Sequence, residues 1–270
     1  MQRKHQVRKK HKKKHKKESL GARMRYEEFT IEGRNAVMEA FRSGKTIDKL
    51  FVLDGCQDGP VKSITREARK TDTIITFVKK ERLDQLSETG KHQGVIAYAA
   101  AYEYAEVEDI LKAAEEKGES PFIILLDNIE DPHNLGAIIR TAHQAGAHGV
   151  IIPKRRAVGL TATVAKASAG AINYLPVAKV TNLSVVIEEL KKKGLWFVCA
   201  DMDGELMYQL DLKGPIGLVI GSEGEGVGKL VREKCDFIAR IPMYGKVDSL
   251  NASVATGVLA YEIVRQRISG

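Results

Sequence analysis

The sequence predicts an α/β protein: a doubly wound, mainly parallel sheet in its C-terminal half, preceded by a small α/β domain. Three observations carry that prediction. Apolar runs at 122–126, 149–152, 196–200 and 216–220 are continuous rather than alternating, the pattern of strands covered on both faces. Helix-forming stretches at 135–145, 161–169 and 183–193 fall between those runs, and strands that alternate with helices build parallel sheets. Upstream, shorter strand and helix signals alternate over 26–103, which makes a second, smaller unit.

Taken in order, the chain opens on a basic arm. Residues 1–25 hold 12 Lys or Arg and a single acid, Glu18, so the arm carries +11. The other 245 residues hold 31 bases and 34 acids, so the net +8 of the whole chain hides a nearly neutral body. Charges that repel, with little apolar surface to bury, leave such an arm disordered in isolation. It suits either non-specific phosphate binding by counterion release or a solubilising tail. A strand, turn and helix follow over 29–41, then a strand at 47–53, a helix at 61–70, a strand at 74–78, a short helix at 81–88 and a strand at 94–101. Glu106, Glu108, Asp109, Glu115, Glu116 and Glu119 mark 104–120 as a linker with a surface helix at 109–117. The second domain spans 121–270, and ligands of such sheets sit at the carboxyl ends of the strands.

Composition excludes several classes. A chain of 43% hydrophobic and 29% charged residues is globular, and no apolar run approaches the roughly 18 residues of a membrane span. The charged N-terminus has no apolar stretch behind it, as a secretory signal would, so the expected location is cytoplasmic. Cys56, Cys199 and Cys235 are odd in number and widely spaced, which reads as buried reduced thiols rather than disulfides or a zinc site.

Three segments carry chemistry, each at the end of an expected strand. The first is Asp127-Asn-Ile-Glu-Asp-Pro-His-Asn-Leu-Gly-Ala-Ile-Ile-Arg140, where Asn134 sits at the expected helix N-cap and Arg140 lies about one and a half turns further on. A capped helix with a surface arginine explains it equally well. The second is Ile220-Gly-Ser-Glu-Gly-Glu-Gly-Val-Gly-Lys229. Its glycines allow close backbone approach to a ligand, but their spacing fits neither a P-loop nor a dinucleotide fingerprint. Glu223 and Glu225 would repel a diphosphate, so a neutral or cationic ligand fits better, unless the segment is only a turn into a helix. The third is Ile241-Pro-Met-Tyr-Gly-Lys-Val-Asp-Ser-Leu-Asn-Ala-Ser253. Ser249, Asn251 and Ser253 are uncharged polar groups at a helix start, suited to orienting a hydroxyl or simply to capping. Small residues at 252, 253, 255, 256 and 257 permit close packing. Lys154, Arg155 and Arg156 follow a strand and read as phosphate contacts or as a solvated charge cluster, and Arg34 in the small domain is a similar candidate.

Together and in this order, the segments resemble the motifs of the SpoU family of RNA ribose 2′-O-methyltransferases, over 121–270. Asn134-Leu-Gly-Ala-Ile-Ile-Arg140 resembles the first motif, Leu218-Val-Ile-Gly-Ser-Glu-Gly-Glu-Gly226 the second, and Ile241-Pro-Met243 with Ser249-Leu-Asn-Ala-Ser-Val-Ala255 the third. Residues 29–101 are similar to the family's small RNA-binding domain. The resemblance implies a deep trefoil knot, S-adenosylmethionine as cofactor, and a homodimer with its active site at the interface; methyl transfer from a sulfonium needs no metal, and no cluster of ligands in the sequence suggests one. It assigns Asn134, Arg140, Glu223, Ser249 and Asn251 to catalysis and Gly221, Ile241, Met243 and Leu250 to the cofactor. The implied substrate is a guanosine of 23S ribosomal RNA, free or in an assembling large subunit. A transfer-RNA ribose methyltransferase and a non-catalytic ribosome assembly factor are the alternatives. A guanidinium stays protonated, so Arg140 is expected to clamp phosphate and stabilise developing oxyanion charge rather than to accept the proton.

Overall fold

The computed structural model describes residues 29–247 and 249–269; the basic arm, 1–25, lies outside the described residues. The chain divides into two compact units. One ends at Tyr102 and takes in Leu160–Thr163, and the other comprises Glu103–Gly159 and Val164–Gly270.

The first unit runs β1 (Phe29–Glu32), α1 (Arg34–Arg42), β2 (Ile47–Leu53), α2 (Gly59–Lys70), β3 (Ile74–Val78), α3 (Lys80–Leu86) and β4 (Val95–Ala99). Its four strands are ordered β1-β4-β2-β3, with β2 and β3 parallel and β4 antiparallel to β1 and β2. Val37, Phe41, Leu50, Val52, Ile64 and Ala97 fill its core. Helix α2 starts two residues before the expected 61, because Asp58 accepts the Val61 amide and Pro60 stands in the first turn. Arg34 has partners within its own unit: its guanidinium donates to the Gln93 carbonyl at 3.0 Å and pairs with Asp58 at 2.5 Å, so it staples the start of α1 to two loops.

The second unit holds α4 (Val107–Lys117), β5 (Phe122–Leu126), α5 (Pro132–Gln144), β6 (Gly149–Pro153), α6 (Ala162–Ala167) from Val164 on, β7 (Val177–Val180), α7 (Leu183–Lys192), β8 (Trp196–Leu206), β9 (Ile216–Ile220), α8 (Lys229–Lys234), β10 (Phe237–Arg240) and α9 (Ala252–Ser269). Six strands pair in the order β10-β8-β9-β5-β6-β7, and every pairing is parallel. All five residues of β5 and of β9 are buried, as their unbroken apolar character requires. On one face Ile123, Leu125 and Val219 pack against Leu183, Ile187 and Leu190 of α7 and Val231 of α8. The other residues of β5 point the opposite way, and α5 and α9 pack on each other on the far side of the sheet. The acidic stretch 104–120, expected to link the domains, carries α4, whose Ile110 joins the same core as Leu183.

Two departures matter for the site. Asp131, not Asn134, is the N-cap of α5: its carboxylate accepts the His133 amide and Pro132 takes the first helical position. Proline suits that place because its missing N–H has no helical partner there. Strand β8 is longer than expected and irregular. Cys199 pairs with Ile238, but the next pair is Glu205 with Ala239, so residues 200–204 leave the ladder and return to it. A Cβ on Gly204 would lie 2.3 Å from the Ile238 carbonyl oxygen, so only glycine closes that excursion. Of the three free cysteines only Cys199 is fully buried; Cys56 and Cys235 are half-buried.

Buried His148 makes stability depend on pH. Its Nδ1 accepts the Phe122 amide at 3.0 Å, and Nε2 lies 3.1 Å from the Glu119 carboxylate, which fixes a neutral ring with its proton on Nε2. Burial pushes its pKa below the ordinary 6.5, against the opposing pull of Glu119. The unfolded chain takes up a proton near 6.5 and the folded chain only at lower pH. The contribution of His148 is therefore complete above the unfolded value and is lost as pH falls through the folded one. Denaturant midpoints measured from pH 7.5 to 5 should fall for the wild type and flatten for His148→Gln; parallel curves would refute the assignment.

Candidate active site

The parallel strands end together at one edge of the second sheet, and three segments that follow them meet there. After β9 the chain enters the glycine-rich loop 221–228. Ser222 and Gly226 form an antiparallel bridge, with the Gly226 amide donating to the Ser222 carbonyl at 2.9 Å. The fold-back is so tight that a Cβ on Gly221 would stand 2.0 Å from the Gly226 carbonyl carbon, which restricts the position to glycine. After β10 come Ile241–Met243, and after a further loop Ser249 and Leu250 lead into α9. With the β8 excursion, these segments enclose a cavity of about 320 Å³, lined among others by Asp201, Met202, Gly221, Glu223, Glu225, Ile241, Met243, Ser249, Leu250 and Leu259.

At the side of the cavity lies a closed triangle of side chains. Asn134 Nδ2 donates to Glu223 Oε1 at 2.9 Å, Asn251 Nδ2 donates to the same oxygen at 2.8 Å, and Asn251 Nδ2 also donates to Asn134 Oδ1 at 2.9 Å. The Ala252 amide, first of α9, adds a third donor to Glu223 Oε1 at 3.0 Å. Asn251 Oδ1 accepts the Ser253 amide at 3.0 Å and so caps α9. The Ala252 amide, helped by Asn134, holds the Glu223 carboxyl below its ordinary value although burial and the nearby Asp131 oppose this. Glu223 is thus a fixed anion and a weak base.

Among the residues expected at the site, Gly221, Ile241, Met243, Leu250, Glu223 and Ser249 line the cavity, and Asn134 and Asn251 join it through Glu223. Arg140 is not brought to it. It is exposed on α5, six residues beyond Asn134, and six steps of about 100° carry it to another face of the helix. Lys154, Arg155 and Arg156 follow β6 at the same edge of the sheet, two strands from β9; Arg155 and Arg156 are exposed. Sequence reasoning missed Asp201 and Met202, since nothing in the apolar run at 196–200 announces that β8 leaves its ladder. It also missed Asp127, whose carboxylate accepts the Gly228 amide at 2.8 Å.

The lining can be tested against S-adenosylmethionine. Among the described residues it includes no Lys, Arg or His, and it offers the carboxylates of Glu223 and Glu225, together with that of Asp201, which Arg232 pairs, beside Ile220, Ile241, Leu250 and Leu259. Carboxylates match a sulfonium and apolar walls match an adenine ring, so the residues fit the group, whereas a diphosphate would meet only repulsion.

Residues 121–261 match the model of the SpoU rRNA methylase family, and residues 30–105 match that of the RNA 2′-O ribose methyltransferase substrate-binding domain. A Bacillus subtilis protein named for the TrmH family of tRNA/rRNA methyltransferases is 54% identical over 236 residues, covering 87% of this chain and 94% of that one. The SpoU methyltransferase AviRb of Streptomyces viridochromogenes, solved with AdoMet, superposes with a TM-score of 0.58 at 27% identity over 92% of this chain and 94% of its own. An AdoMet-bound rRNA methyltransferase of Sinorhizobium meliloti gives 0.55 at 27% identity over 94% and 90%. A TrmH/SpoU tRNA-modifying enzyme of A. aeolicus gives 0.50 at 30% identity but covers only 56% of this chain and 77% of its own. The chain belongs to the SpoU rRNA methylase family of RNA methyltransferases.

Proposed function

We propose that this chain transfers a methyl group from S-adenosylmethionine to the 2′-hydroxyl of a ribose in structured RNA, and that its target is a guanosine of 23S ribosomal RNA, free or within an assembling large subunit. The observation that carries the reading is the Asn134–Glu223–Asn251 triangle beside an acidic, apolar-walled cavity. A pure RNA-binding factor has no need of three polar side chains locked at a cofactor-sized cavity. The ribosomal reading is supported by coverage: the rRNA methyltransferase aligns over both units, the tRNA-modifying enzyme over little more than half the chain.

S-adenosylmethionine, when bound, supplies a methyl group already activated by its sulfonium. Backbone groups at Gly221, Ile241, Met243 and Leu250 hold the adenosine, and the carboxylates of the lining favour the positive charge. The protein's own task is to align a poor nucleophile and let its proton leave. Ser249, Asn134 and Asn251 orient the ribose hydroxyl by hydrogen bonds. Glu223 keeps the two amides in place and, as a stabilised anion, does not take the proton. Arg140 grips an RNA phosphate with its planar fork and stabilises charge on the oxygen. Arg155 and Arg156, with Lys154, contact phosphates farther along the RNA.

Arg140 is exposed and does not line its own cavity, which is consistent with a homodimer in which each Arg140 serves the other copy. Val254, Tyr261 and Ile268, spaced by seven, form an exposed apolar stripe on α9 that a second copy would cover. The trefoil knot on this reading would involve the 221–228 loop and the return of the chain from β10 to α9. The enzyme works in the cytoplasm on this reading; no described helix is long and apolar enough to cross a membrane.

Purified enzyme with labelled S-adenosylmethionine should methylate 23S RNA or large-subunit particles at one ribose, mapped by mass. Label entering only transfer RNA would replace the ribosomal reading, and label entering no RNA would remove the enzymatic one. Arg140→Lys should lower the single-turnover rate about tenfold or more while donor affinity stays unchanged, since a lysine cannot reproduce the fork. An unaltered rate would refute the phosphate clamp. Glu223→Gln should lose about 10- to 100-fold in rate. Mixing it with Arg140→Ala should restore activity only if the two copies share sites; two inactive partners that stay inactive together would exclude the shared site.

A further inference from the structure

The cavity has two facing walls that the sheet itself does not hold. Strand β9 ends at Ile220, and everything from Gly221 to Gly228 is loop; β8 leaves both neighbours after Cys199, and 200–204 bow out. Asp201 lies on one wall and Glu223 on the other. Neither wall is covered by a ladder, yet both must keep their spacing for a donor to fit.

Helix α8 stands between them and is tied to each. Asp127 follows β5, and its amide donates to the Ile220 carbonyl at 2.8 Å, continuing the β5–β9 ladder by one step. Its side chain, 7% exposed, accepts the Gly228 amide at 2.8 Å, and Gly228 is the N-cap of α8. The approach is close enough that a Cβ on Gly228 would stand 3.0 Å from the same carboxylate oxygen. One turn later Arg232 Nε donates to Asp201 Oδ2 at 3.0 Å, while Asp201 Oδ1 accepts the Asp203 amide at 3.0 Å. Beyond Arg232 the helix is anchored to α7, where Lys191 donates to the Lys234 carbonyl at 3.2 Å and Lys234 pairs with Glu188. The helix is therefore fixed at its start, middle and end, and its first two ties each end on a wall of the cavity.

We infer that Asp127 and Arg232 are positioning residues for the methyl donor: acting through α8, they set the separation of the 200–204 and 221–228 walls. Neither residue lines the cavity. Asp127 holds the exit of the glycine loop to the sheet, which fixes the stretch that carries Gly221 and Glu223. Arg232 holds the β8 excursion to the same helix. Because both ties run through one rigid element, breaking either releases the spacing, and breaking the second adds little. The inference rests on the proposal that the cavity takes S-adenosylmethionine.

The test is a double-mutant cycle on the full chain, with the dissociation constant for S-adenosylmethionine read by calorimetry and thermal stability read alongside. Arg232→Met keeps the stem of a partly exposed side chain, and Asp127→Ala removes the carboxylate. Each should weaken donor binding about tenfold, and the double variant should fall well short of the roughly hundredfold that independent losses would give. Asp127→Asn retains an oxygen able to accept the Gly228 amide and should lose less than Asp127→Ala; it replaces the alanine in the cycle if that variant does not fold. Turnover at saturating donor, on the RNA that the wild type methylates, should stay within about threefold, a split between affinity and rate that general destabilisation would not produce. Wild-type affinity in the single variants, losses that multiply in full, or a fall in turnover with affinity intact would each overturn the inference. A wild-type protein that itself fails to bind S-adenosylmethionine would instead overturn the proposed function on which it rests.

Discussion

The site depends on a single carboxylate oxygen. Oε1 of Glu223 receives the amide groups of Asn134 and Asn251 and the backbone N–H of Ala252, from segments 89, 28 and 29 residues away. Hydrogen bonds to a charged acceptor contribute about 1.5–3 kcal/mol each, and removing the acceptor would leave three donors at a partly buried place without a partner. The triangle also fixes orientation. Asn251 gives its Nδ2 to Glu223 and Asn134 and uses its Oδ1 for Ser253, so its amide has one productive setting. Three chain segments that follow β5, β9 and β10 are thereby held by one atom, and the polar groups they present are aimed before any substrate arrives.

Such a fixed point is useful only if the helix that starts there is itself immobile, and α9 is held at its far end as well. Arg267 donates to the carbonyls of Ser120, Pro121 and Gly214, and its guanidinium lies over the Phe122 ring. Gln266 spans Leu210 and Leu212, accepting the amide of one and donating to the carbonyl of the other. These ties are at the amino-terminal edge of the sheet, where Phe122 begins β5. The helix is thus stretched between the two edges, with Thr256, Leu259, Ala260 and Ile263 buried along it. The position of Asn251 is then set by the whole length of α9 rather than by its loop, whose Tyr244 and Val247 are exposed.

The sheet was legible because burial on both faces leaves a local trace: β5 and β9 have the bounds that their apolar runs predict. Strand β7, Val177–Val180, escaped notice because a four-residue edge strand holding a lysine has no such trace. The start of α5 was misplaced because Asn134 and Asp131 are both good caps and only Pro132 decides between them. Arg34 looked like a free cation because its partners, Gln93 and Asp58, are 59 and 24 residues away. The motif residues of the cavity were found through a family resemblance; spacing alone allowed a capped helix at each. Asp127, Asp201 and Arg232 were beyond reach for a physical reason. Their roles consist in pairings across 101 and 31 residues, and a pairing at that distance leaves no periodicity for a sequence to display.

Charge at the carboxyl edge is divided in a way that the net charge conceals. The cavity is acidic, with Asp201, Glu223 and Glu225 on its lining, while Lys154, Arg155 and Arg156 follow β6. Strands β9, β5 and β6 are neighbours in that order, and spacings of about 4.8 Å put the strand ends some 10 Å apart. That is about one Debye length in physiological salt, so neither group cancels the other in solution. A cation is drawn to one end of the edge and a polyanion to the other. On the proposed function, an RNA backbone is repelled from the acidic cavity and attracted beside it, so a ribose edge rather than a phosphate is what the polymer would bring up to Asn134 and Asn251. Exposure of Arg140 on another face of α5, clear of the acidic lining, is consistent with that division.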